Sequence, residues 1–189
     1  MNSPQSGFPD ICVIDTETTG LNVNFDEVLE IAILDSNGEV LLNTLVRPEK
    51  NVEWPDAQRI HGISPEDVQS APTLAEIRDQ IRETVKGRLV VIYNAEYDSA
   101  MLQDCLDTAD DVHCCMWGFT QEYAVQFDQP ERWHKLVQAA YFVGHDWGQD
   151  ASHRAIHDAS ATLSVWRWLH QKSPRQYPLM SGSPAAYSS

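Results

Sequence analysis

A short apolar run that ends in two carboxylates constrains this chain more than any other feature. Ile11 to Ile14 is entirely apolar and leads directly into Asp15-Thr16-Glu17. A run this short and apolar is typical of a strand that is buried on both faces. Side chains alternate along a strand, so Asp15 and Glu17 are expected on the same face. The two carboxylates repel each other unless a cation lies between them. An isolated pair of this kind usually marks a solvated strand end, but here the buried run favours a site at the strand's carboxyl end.

The same kind of pattern predicts four further strands. They fall at Val28 to Leu34, Glu39 to Val46, Leu89 to Tyr93 and Val112 to Met116. Asp35-Ser36-Asn37-Gly38 separates the first two and is typical of a hairpin turn. The run from Leu89 is apolar on both faces, so it is expected in the interior of the sheet.

The interval from Arg47 to Pro72 is predicted to be irregular, because prolines interrupt it,. Helical patterns follow this interval. Helices are predicted from Thr73 to about Val85, from Asp98 to Leu106, near Gln121, from Glu131 to Val143 and from Arg154 to His170. Thr73 and Glu76 have the spacing of a capping box, which marks the first of these helix starts. Strands that form a meander and then alternate with helices predict an α/β fold, with a sheet of mixed direction covered by helices.

The length and the composition indicate one domain. The chain has 189 residues, of which 42% are hydrophobic, and this is enough for one sizeable core,. We expect a short N-terminal segment over residues 1–10, the folded domain over residues 11–171, and a flexible tail rich in Pro, Ser, Gly and Ala over residues 172–189. The beginning of the chain has no signal-peptide pattern, and no apolar run reaches the roughly 20 residues that span a bilayer. The sequence therefore predicts a cytoplasmic protein with no membrane contact.

The charge excludes one class of nucleic-acid-binding protein. The chain carries 13 basic and 28 acidic residues, for a formal net charge of −15. Proteins that grip long nucleic acids do so through many Lys and Arg side chains, and this chain has no basic run that would serve. The negative charge does not exclude an enzyme that acts on nucleic acid at a metal site. Cations bound by a carboxylate cluster reverse the sign of the local electrostatic field.

The four cysteines predict no disulfide framework and no zinc site. Cys12 and Cys105 fall in a strand and in a helix, and neither has the spacing of a Cys-x-x-Cys pair. His113-Cys114-Cys115 resembles a zinc fragment, but three consecutive side chains rarely converge on one metal and no second pair completes the set. We therefore expect reduced structural thiols.

Two other segments place acids where they could join the first pair. Asp98 follows the fourth strand, at the start of a helix, where an isolated Asp would be an N-cap. His153 and Asp158 lie five residues apart, so they do not share one helix face. We expect His153 on the loop before the last helix and Asp158 pointing inward from the first turns. Alone, each would be interpreted as a cap or a surface group.

Taken together, these segments resemble the DEDDh exonucleases, the family of the proofreading subunit of bacterial replicative DNA polymerase, RNase T and oligoribonuclease. The matching segments, in the family's order, are Asp15 to Gly20, His61 to Ser64, Asn94 to Asp98 and His153 to Ala159. The resemblance covers Ile11 to Leu169. Each motif is weak to moderate, but four in order are specific. Tyr93 and Tyr97 depart from the commonest pattern, which has His and Phe there, and neither change removes a catalytic group.

The resemblance implies a ribonuclease H-like fold, with a mixed five-stranded sheet flanked by helices, and an acidic site for two metal ions. By the resemblance, Asp15, Glu17 and Asp158 hold one ion and Asp15 helps to hold a second. Asp98 completes the cluster, directly or through water, and His153 takes a proton from the attacking water. Oxygen ligands favour Mg²⁺ or Mn²⁺.

The residues expected to hold the terminal nucleotides are Thr18, Leu21, His61, Asn94 and Tyr97. Leu21 could wedge against a base and Tyr97 could stack on one, and ordinary packing is the alternative for both. Gly20 closes the turn after the first strand and would let substrate approach the backbone closely.

The function implied is a metal-dependent 3′→5′ exonuclease that removes nucleotides from the 3′ end of DNA, at single-stranded or frayed ends. An exoribonuclease of the same family is the alternative, because the motifs do not choose the sugar. A non-catalytic binding module with a nuclease fold is a second alternative, and the intact acids argue against it. Expected partners are a nucleic acid with a free 3′ end and a protein that delivers it, such as a polymerase. Gln176 to Met180 resembles the short peptides that bind sliding clamps, although matches of this length often arise by chance.

Overall fold

A computed structural model describes residues 10–148 and 153–172, and the predicted tail with its clamp-like peptide lies outside them. Within these ranges the chain forms five strands and seven α-helices. The strands are β1 (Ile11–Thr18), β2 (Val28–Asp35), β3 (Val40–Leu45), β4 (Leu89–Ile92) and β5 (Asp111–Cys114). The helices are α1 (Pro55–His61), α2 (Pro65–Val68), α3 (Leu74–Val85), α4 (Ala95–Leu102), α5 (Cys115–Phe127), α6 (Leu136–Val143) and α7 (Ala155–Lys172). A 3-10 turn, Gln103–Leu106, follows α4.

The strands form the predicted mixed sheet, in the order β3-β2-β1-β4-β5. β1, β2 and β3 pair antiparallel, and β4 pairs parallel with both β1 and β5. The hairpin predicted between the second and third strands is confirmed, and β4 is an interior strand as expected. β1 continues to Thr18, so Asp15 and Glu17 lie within the strand itself.

Alternation along β1 divides the interior into two main cores. Cys12 and Ile14 belong to the core that packs against α3 and α4. Ile11 and Val13 belong to the opposite core, which is closed by α7. The apolar residues predicted at helical spacing on α7 are all buried: Ala155, Ala159, Leu163, Trp166 and Leu169. The last helix therefore covers the face of β1 that carries Asp15 and Glu17.

The interval from Arg47 to Pro72 is not irregular as predicted, because α1 and α2 lie within it. Pro55 and Pro65 each occupy the first position of a helix, where the missing N–H has no partner to lose. Here proline marks helix starts and does not exclude helices. The two helices frame a small third core around Trp54, whose indole N–H donates to the Ile63 carbonyl at 2.8 Å.

The other helices follow the predictions with shifted ends. The capping box of Thr73 and Glu76 is present at the start of α3. α4 begins at Ala95, so Asp98 lies in its first turn and Asn94 is the N-cap residue. α6 begins at Leu136, later than predicted. All four cysteines are free thiols, and none of the described helices is both long and apolar enough to cross a membrane.

Candidate active site

Three carboxylates converge where β1 meets α7. Asp15 and Glu17 project from the same face of β1, and Asp158 is the fourth residue of α7. Each offers an oxygen atom, and these atoms all lie within 4.8 Å of one another. The three residues are partly buried. The strand alternation and the helix start that were read from the sequence thus bring the first and last acidic motifs together.

Asp98 approaches from the other face of β1. Thr16 lies between Asp15 and Glu17 and points the opposite way, and its hydroxyl donates to Asp98 Oδ1 at 2.7 Å. Asp98 is 6% exposed on α4. It is not one of the three residues whose oxygens lie within 4.8 Å of one another. Its carboxylate still acts on the cluster, because it is the strongest charged neighbour raising the pKa of Asp15.

The electrostatics of the cluster call for a cation. Burial, followed by repulsion from Asp98, Asp158 and Glu17, raises the pKa of Asp15 well above its usual range. Burial and the charge of Asp158 raise the pKa of Glu17 to about 8, and burial raises the pKa of Asp98 to about 6. The pKa of Asp158 is raised as well, mainly by burial. A set of crowded oxygen donors that resist ionisation fits a hard divalent cation such as Mg²⁺ or Mn²⁺.

His153 lies on the loop just before α7, as predicted. Its side chain is exposed, and its backbone has φ = 29°, in the left-handed region that non-glycine residues seldom adopt,. The next residue, Arg154, anchors this loop. Its guanidinium forms a bidentate ion pair with the Glu30 carboxylate on β2. The distance is 3.0 Å from Nε to Oε2 and 2.5 Å from Nη2 to Oε1.

Glu30 is a residue of the site that the sequence interpretation missed. Its side chain is 3% exposed, it lies opposite Glu17 in the β1–β2 register, and it also accepts the backbone N–H of Ala155 at 3.0 Å. A buried carboxylate with this many donors fixes the start of α7 to the sheet. The available signal was a single Glu inside the otherwise apolar run from Val28 to Leu34, which is unusual unless the charge is paired.

The turn after β1 is organised by Asp26. Its Oδ1 accepts the Thr19 hydroxyl and its Oδ2 accepts the Asn22 N–H, both at 2.8 Å. A Cβ added at Gly20 would lie 2.6 Å from Asp26 Oδ2. A side chain at this position would displace the Asp26 carboxylate, so glycine preserves these hydrogen bonds. Close approach of substrate to this backbone stays a prediction. Leu21 follows at the tip of the turn and is 87% exposed.

The remaining predicted substrate contacts surround this turn. The Tyr97 hydroxyl lies 2.6 Å from the Gly20 carbonyl and 2.7 Å from Thr18 Oγ1. His61 is buried, with Nδ1 accepting the Ile63 N–H at 3.0 Å, so its other nitrogen carries the proton toward the Thr18 carbonyl at 3.3 Å. Burial lowers the pKa of His61, which keeps the ring neutral. Asn94 is exposed at the carboxyl end of β4.

A cluster of acids at the carboxyl ends of a mixed sheet, with a histidine on the adjoining loop, is the arrangement of a metal-dependent hydrolase. Comparison with known proteins narrows this class. The family model described as "Exonuclease" matches residues 12–166. An uncharacterised exonuclease, CP81, of Escherichia phage 186 is 36% identical over 169 residues, which cover 80% of this chain and 84% of that protein.

The DNA polymerase III subunit epsilon of Escherichia coli K12 is 32% identical over 95 residues, covering 46% of this chain and 39% of that subunit. This match spans about two fifths of the subunit's length. Among solved structures, exonuclease X in complex with 5′-overhanging duplex DNA has a TM-score of 0.67 at 22% identity, covering 88% of this chain and 94% of that one. Exonuclease I of E. coli in complex with a dA16 oligonucleotide has a TM-score of 0.71 at 17% identity, and the match covers 88% of this chain and 42% of that one.

These structural likenesses establish the ribonuclease H-like fold, and the family match establishes a nuclease that depends on divalent metal. The chain belongs to the DEDDh 3′→5′ exonuclease family.

Proposed function

We propose that this chain is a two-metal-ion 3′→5′ exonuclease that removes nucleotides from the 3′ end of DNA, at single-stranded or frayed ends. The observation that carries the proposal is the convergence of Asp15, Glu17 and Asp158, with ligand oxygens within 4.8 Å of one another. Their pKa values are raised above the ordinary range of carboxyl groups. Such a cluster suits divalent cations that lie against a phosphodiester.

Asp15, Glu17 and Asp158 would hold one Mg²⁺ or Mn²⁺, and Asp15 would contribute to a second. Asp98 would support them directly or through water, from the position fixed by the Thr16 hydroxyl. When bound, the ions acidify the attacking water and stabilise the charge that develops on the leaving 3′ oxygen.

His153 would take the proton of the attacking water. Its side chain is exposed on the loop that leads into Asp158, so it is free to reach the substrate side of the cluster. The Glu30–Arg154 ion pair would hold that loop, so that the base returns to the same place in each turnover,.

The terminal nucleotides would lie against the β1–β2 turn. Leu21 is exposed and free to press against a base, while Tyr97 and Thr18 fix the shape of the turn through the Gly20 carbonyl. His61 would act through the Thr18 backbone, because both of its ring nitrogens contact backbone atoms. Asn94 is exposed beside Asp98 and could donate to a phosphate or a sugar,.

DNA is proposed as the substrate because the relatives named above include a DNA polymerase subunit and two exonucleases seen with DNA. An enzyme of this kind would need a protein that delivers ends to it, and we propose a polymerase or a sliding clamp for this role.

The test uses single strands of DNA and RNA with matched sequence, each with a free or a blocked 3′ end, and the purified full chain with Mg²⁺ or Mn²⁺. We expect stepwise shortening of DNA from free 3′ ends, and no cleavage in EDTA. Asp15→Ala should abolish cleavage with either ion, because Asp15 lies at the centre of the cluster. Faster degradation of RNA would instead select the exoribonuclease alternative. An active Asp15→Ala variant would exclude the proposed metal site.

A further inference from the structure

An exposed tryptophan lies between two uncommitted cations in the segment that precedes α6. Trp133 is 62% exposed, and its neighbours Arg132 and Lys135 are exposed as well. The indole of Trp117, on the first turn of α5, lies 5.4 Å from that of Trp133, with the rings tilted by 42°. Single exposed apolar side chains are common, whereas contiguous exposed apolar groups mark binding sites, and here two indoles lie side by side,.

Two backbone contacts place this segment at the active-site edge of the sheet. The Tyr93 hydroxyl donates to the His134 carbonyl at 2.7 Å, and Tyr93 directly follows β4. The Met116 N–H, one residue before Trp117, donates to the Tyr93 carbonyl at 2.9 Å. Both tryptophans therefore lie near the carboxyl ends of β4 and β5. Asn94 lies at this edge, and α4, which carries Asp98, begins there.

Among the described residues, Arg132 and Lys135, like Arg47, Lys50 and Arg167, lack the carboxylate partners that six other basic side chains have. Six basic side chains pair with carboxylates: Arg59, Arg78, Arg82, Lys86, Arg88 and Arg154. Among the described residues, neither Arg132 nor Lys135 forms an ion pair, although Glu131 precedes them in sequence. In a chain with a net charge of −15, two free cations beside an exposed indole favour an anionic, planar ligand,.

We propose that Trp117, Trp133, Arg132 and Lys135 form a stacking platform for the single strand just upstream of the terminal nucleotides. This inference rests on the proposed function and adds a subsite to it. A base stacks on the exposed indole of Trp133, Trp117 supports that ring from the protein side, and the two cations contact the flanking phosphates. A nucleic-acid strand satisfies both the aromatic and the charged groups, because every base has a stacking face and every linkage has a charge.

The first experiment compares a dinucleotide with a single strand of about eight nucleotides, using the full chain with Mg²⁺. Trp133→Ala should raise KM for the longer strand by about 5- to 100-fold, the usual effect of losing one stacked base. The kinetics on the dinucleotide should not change. Trp133→Phe should recover much of the affinity, because it keeps an aromatic face. Tyr141→Ala is the matched control, since Tyr141 is 86% exposed but lies at the far end of α6.

The second experiment measures the salt dependence of KM for the longer strand. Arg132→Gln and Lys135→Gln should each reduce the slope of log KM against log salt by about 0.7, the value for one phosphate contact on a single strand. Arg59→Gln is the control and should leave the slope unchanged, because Arg59 is exposed and pairs with Asp56.

The outcomes separate this inference from the proposed function. A wild-type chain that cleaves no strand of any length would reject the proposed function. If the wild type is active and Trp133→Ala either behaves like it or slows cleavage of the dinucleotide and of the longer strand equally, the platform is overturned and the proposed function is not affected. The second of these patterns would mean that Trp133 serves the fold or a protein partner.

Discussion

The backbone of His153 is held in an unfavourable conformation next to the acidic cluster. Its positive φ precedes the first turn of α7, and the following Arg154 is tied to Glu30. Strained backbone near a site persists only where the surrounding contacts determine it. The ion pair between Arg154 and Glu30 is the contact that holds the residue next to this strained backbone.

Replacing this imidazole should slow the reaction without removing metal binding. His153→Ala should reduce kcat by about 10²–10⁴-fold, the usual contribution of a positioned base. The measurement is single-strand degradation at saturating Mg²⁺, together with a metal titration that should be nearly unchanged. His157→Ala is the control, because His157 is a neighbouring histidine on α7 itself. A silent His153→Ala combined with an inactive His157→Ala would show that the wrong histidine was aligned with the family motif.

Individual residues of the site were predictable where a local rule determines their direction. Strand alternation put Asp15 and Glu17 on one face, and the five-residue interval separated His153 from the helix of Asp158. The sequence marks Glu30 as a single acid in an apolar run, but its partner was not predictable, because Arg154 lies far away in the chain and only the folded sheet brings them together. The contact between Gly20 and Asp26 was not predictable for the same reason, since Asp26 returns to Gly20 only after the turn has formed.

At the scale of elements, the Glu30–Arg154 pair joins β2 to the beginning of α7. Arg154→Ala would leave the buried Glu30 carboxylate with the Ala155 N–H and without its guanidinium. We expect a loss of about 1–3 kcal/mol in the free energy of unfolding, as for a buried polar group that loses its partner. We also expect a lower kcat, because the loop of His153 is released.

The control for this pair is Arg59→Ala. Arg59 and Asp56 form an ion pair in which both side chains are largely exposed, so its loss should change stability by less than about 1 kcal/mol,. Urea denaturation and kcat should be measured for both variants. Equal effects from the two variants would mean that the buried pair has no special part in fixing α7.

Elements were predicted well where apolar periodicity is strong and poorly where prolines dominate. The five strands and α7 carry clear patterns, and the structure confirms them. α1 and α2 are short, and most of their residues face solvent, so they offer little periodicity. Pro55 and Pro65 were interpreted as interruptions of regular structure. Proline is also favoured at the first position of a helix, so it can equally mark a helix start.

For the whole molecule, the acidic cluster predicts a link between pH, metal and stability. The folded-state pKa values of Glu17, about 8, and Asp98, about 6, lie above their ordinary values. Between about pH 4 and pH 8 these two carboxyl groups bind more protons in the metal-free folded protein than in the unfolded chain, so their contribution to the free energy of unfolding falls as pH rises. Bound Mg²⁺ should offset the repulsion, so its stabilising effect should grow with pH.

Thermal denaturation in EDTA and in Mg²⁺ across this pH range measures the effect. Asp15→Asn is the informative variant, because it removes one ionisable carboxyl group from the cluster with little change of shape. Its metal-free midpoint should fall less steeply with pH than that of the wild type. A metal-free midpoint that falls equally steeply with pH in Asp15→Asn and in the wild type would contradict the linkage.

For strands long enough to reach the proposed platform, the rest of the surface predicts weak further dependence on strand length and on salt. The basic side chains of α3 and of its C-cap residue, Lys86, do not form a nucleic-acid track, because each pairs with a carboxylate. Arg78 pairs with Asp104, Arg82 with Asp107 and Lys86 with Glu83. Catalytic efficiency should rise only until a strand reaches past the site and should then stay constant, with a shallow salt slope. A continuing increase with length and a steep slope would reveal an extended basic surface.

The two ends of the folded domain must meet before the three-carboxylate cluster exists. Asp15 and Glu17 belong to the first strand, whereas Asp158 belongs to the last helix. Because chains are synthesised and fold from the N-terminus, a nascent chain on the ribosome carries two of these acids long before the third emerges. Metal capture and cleavage would therefore begin only after α7 has docked. A chain that is truncated before α7 would lack Asp158 and with it the complete cluster.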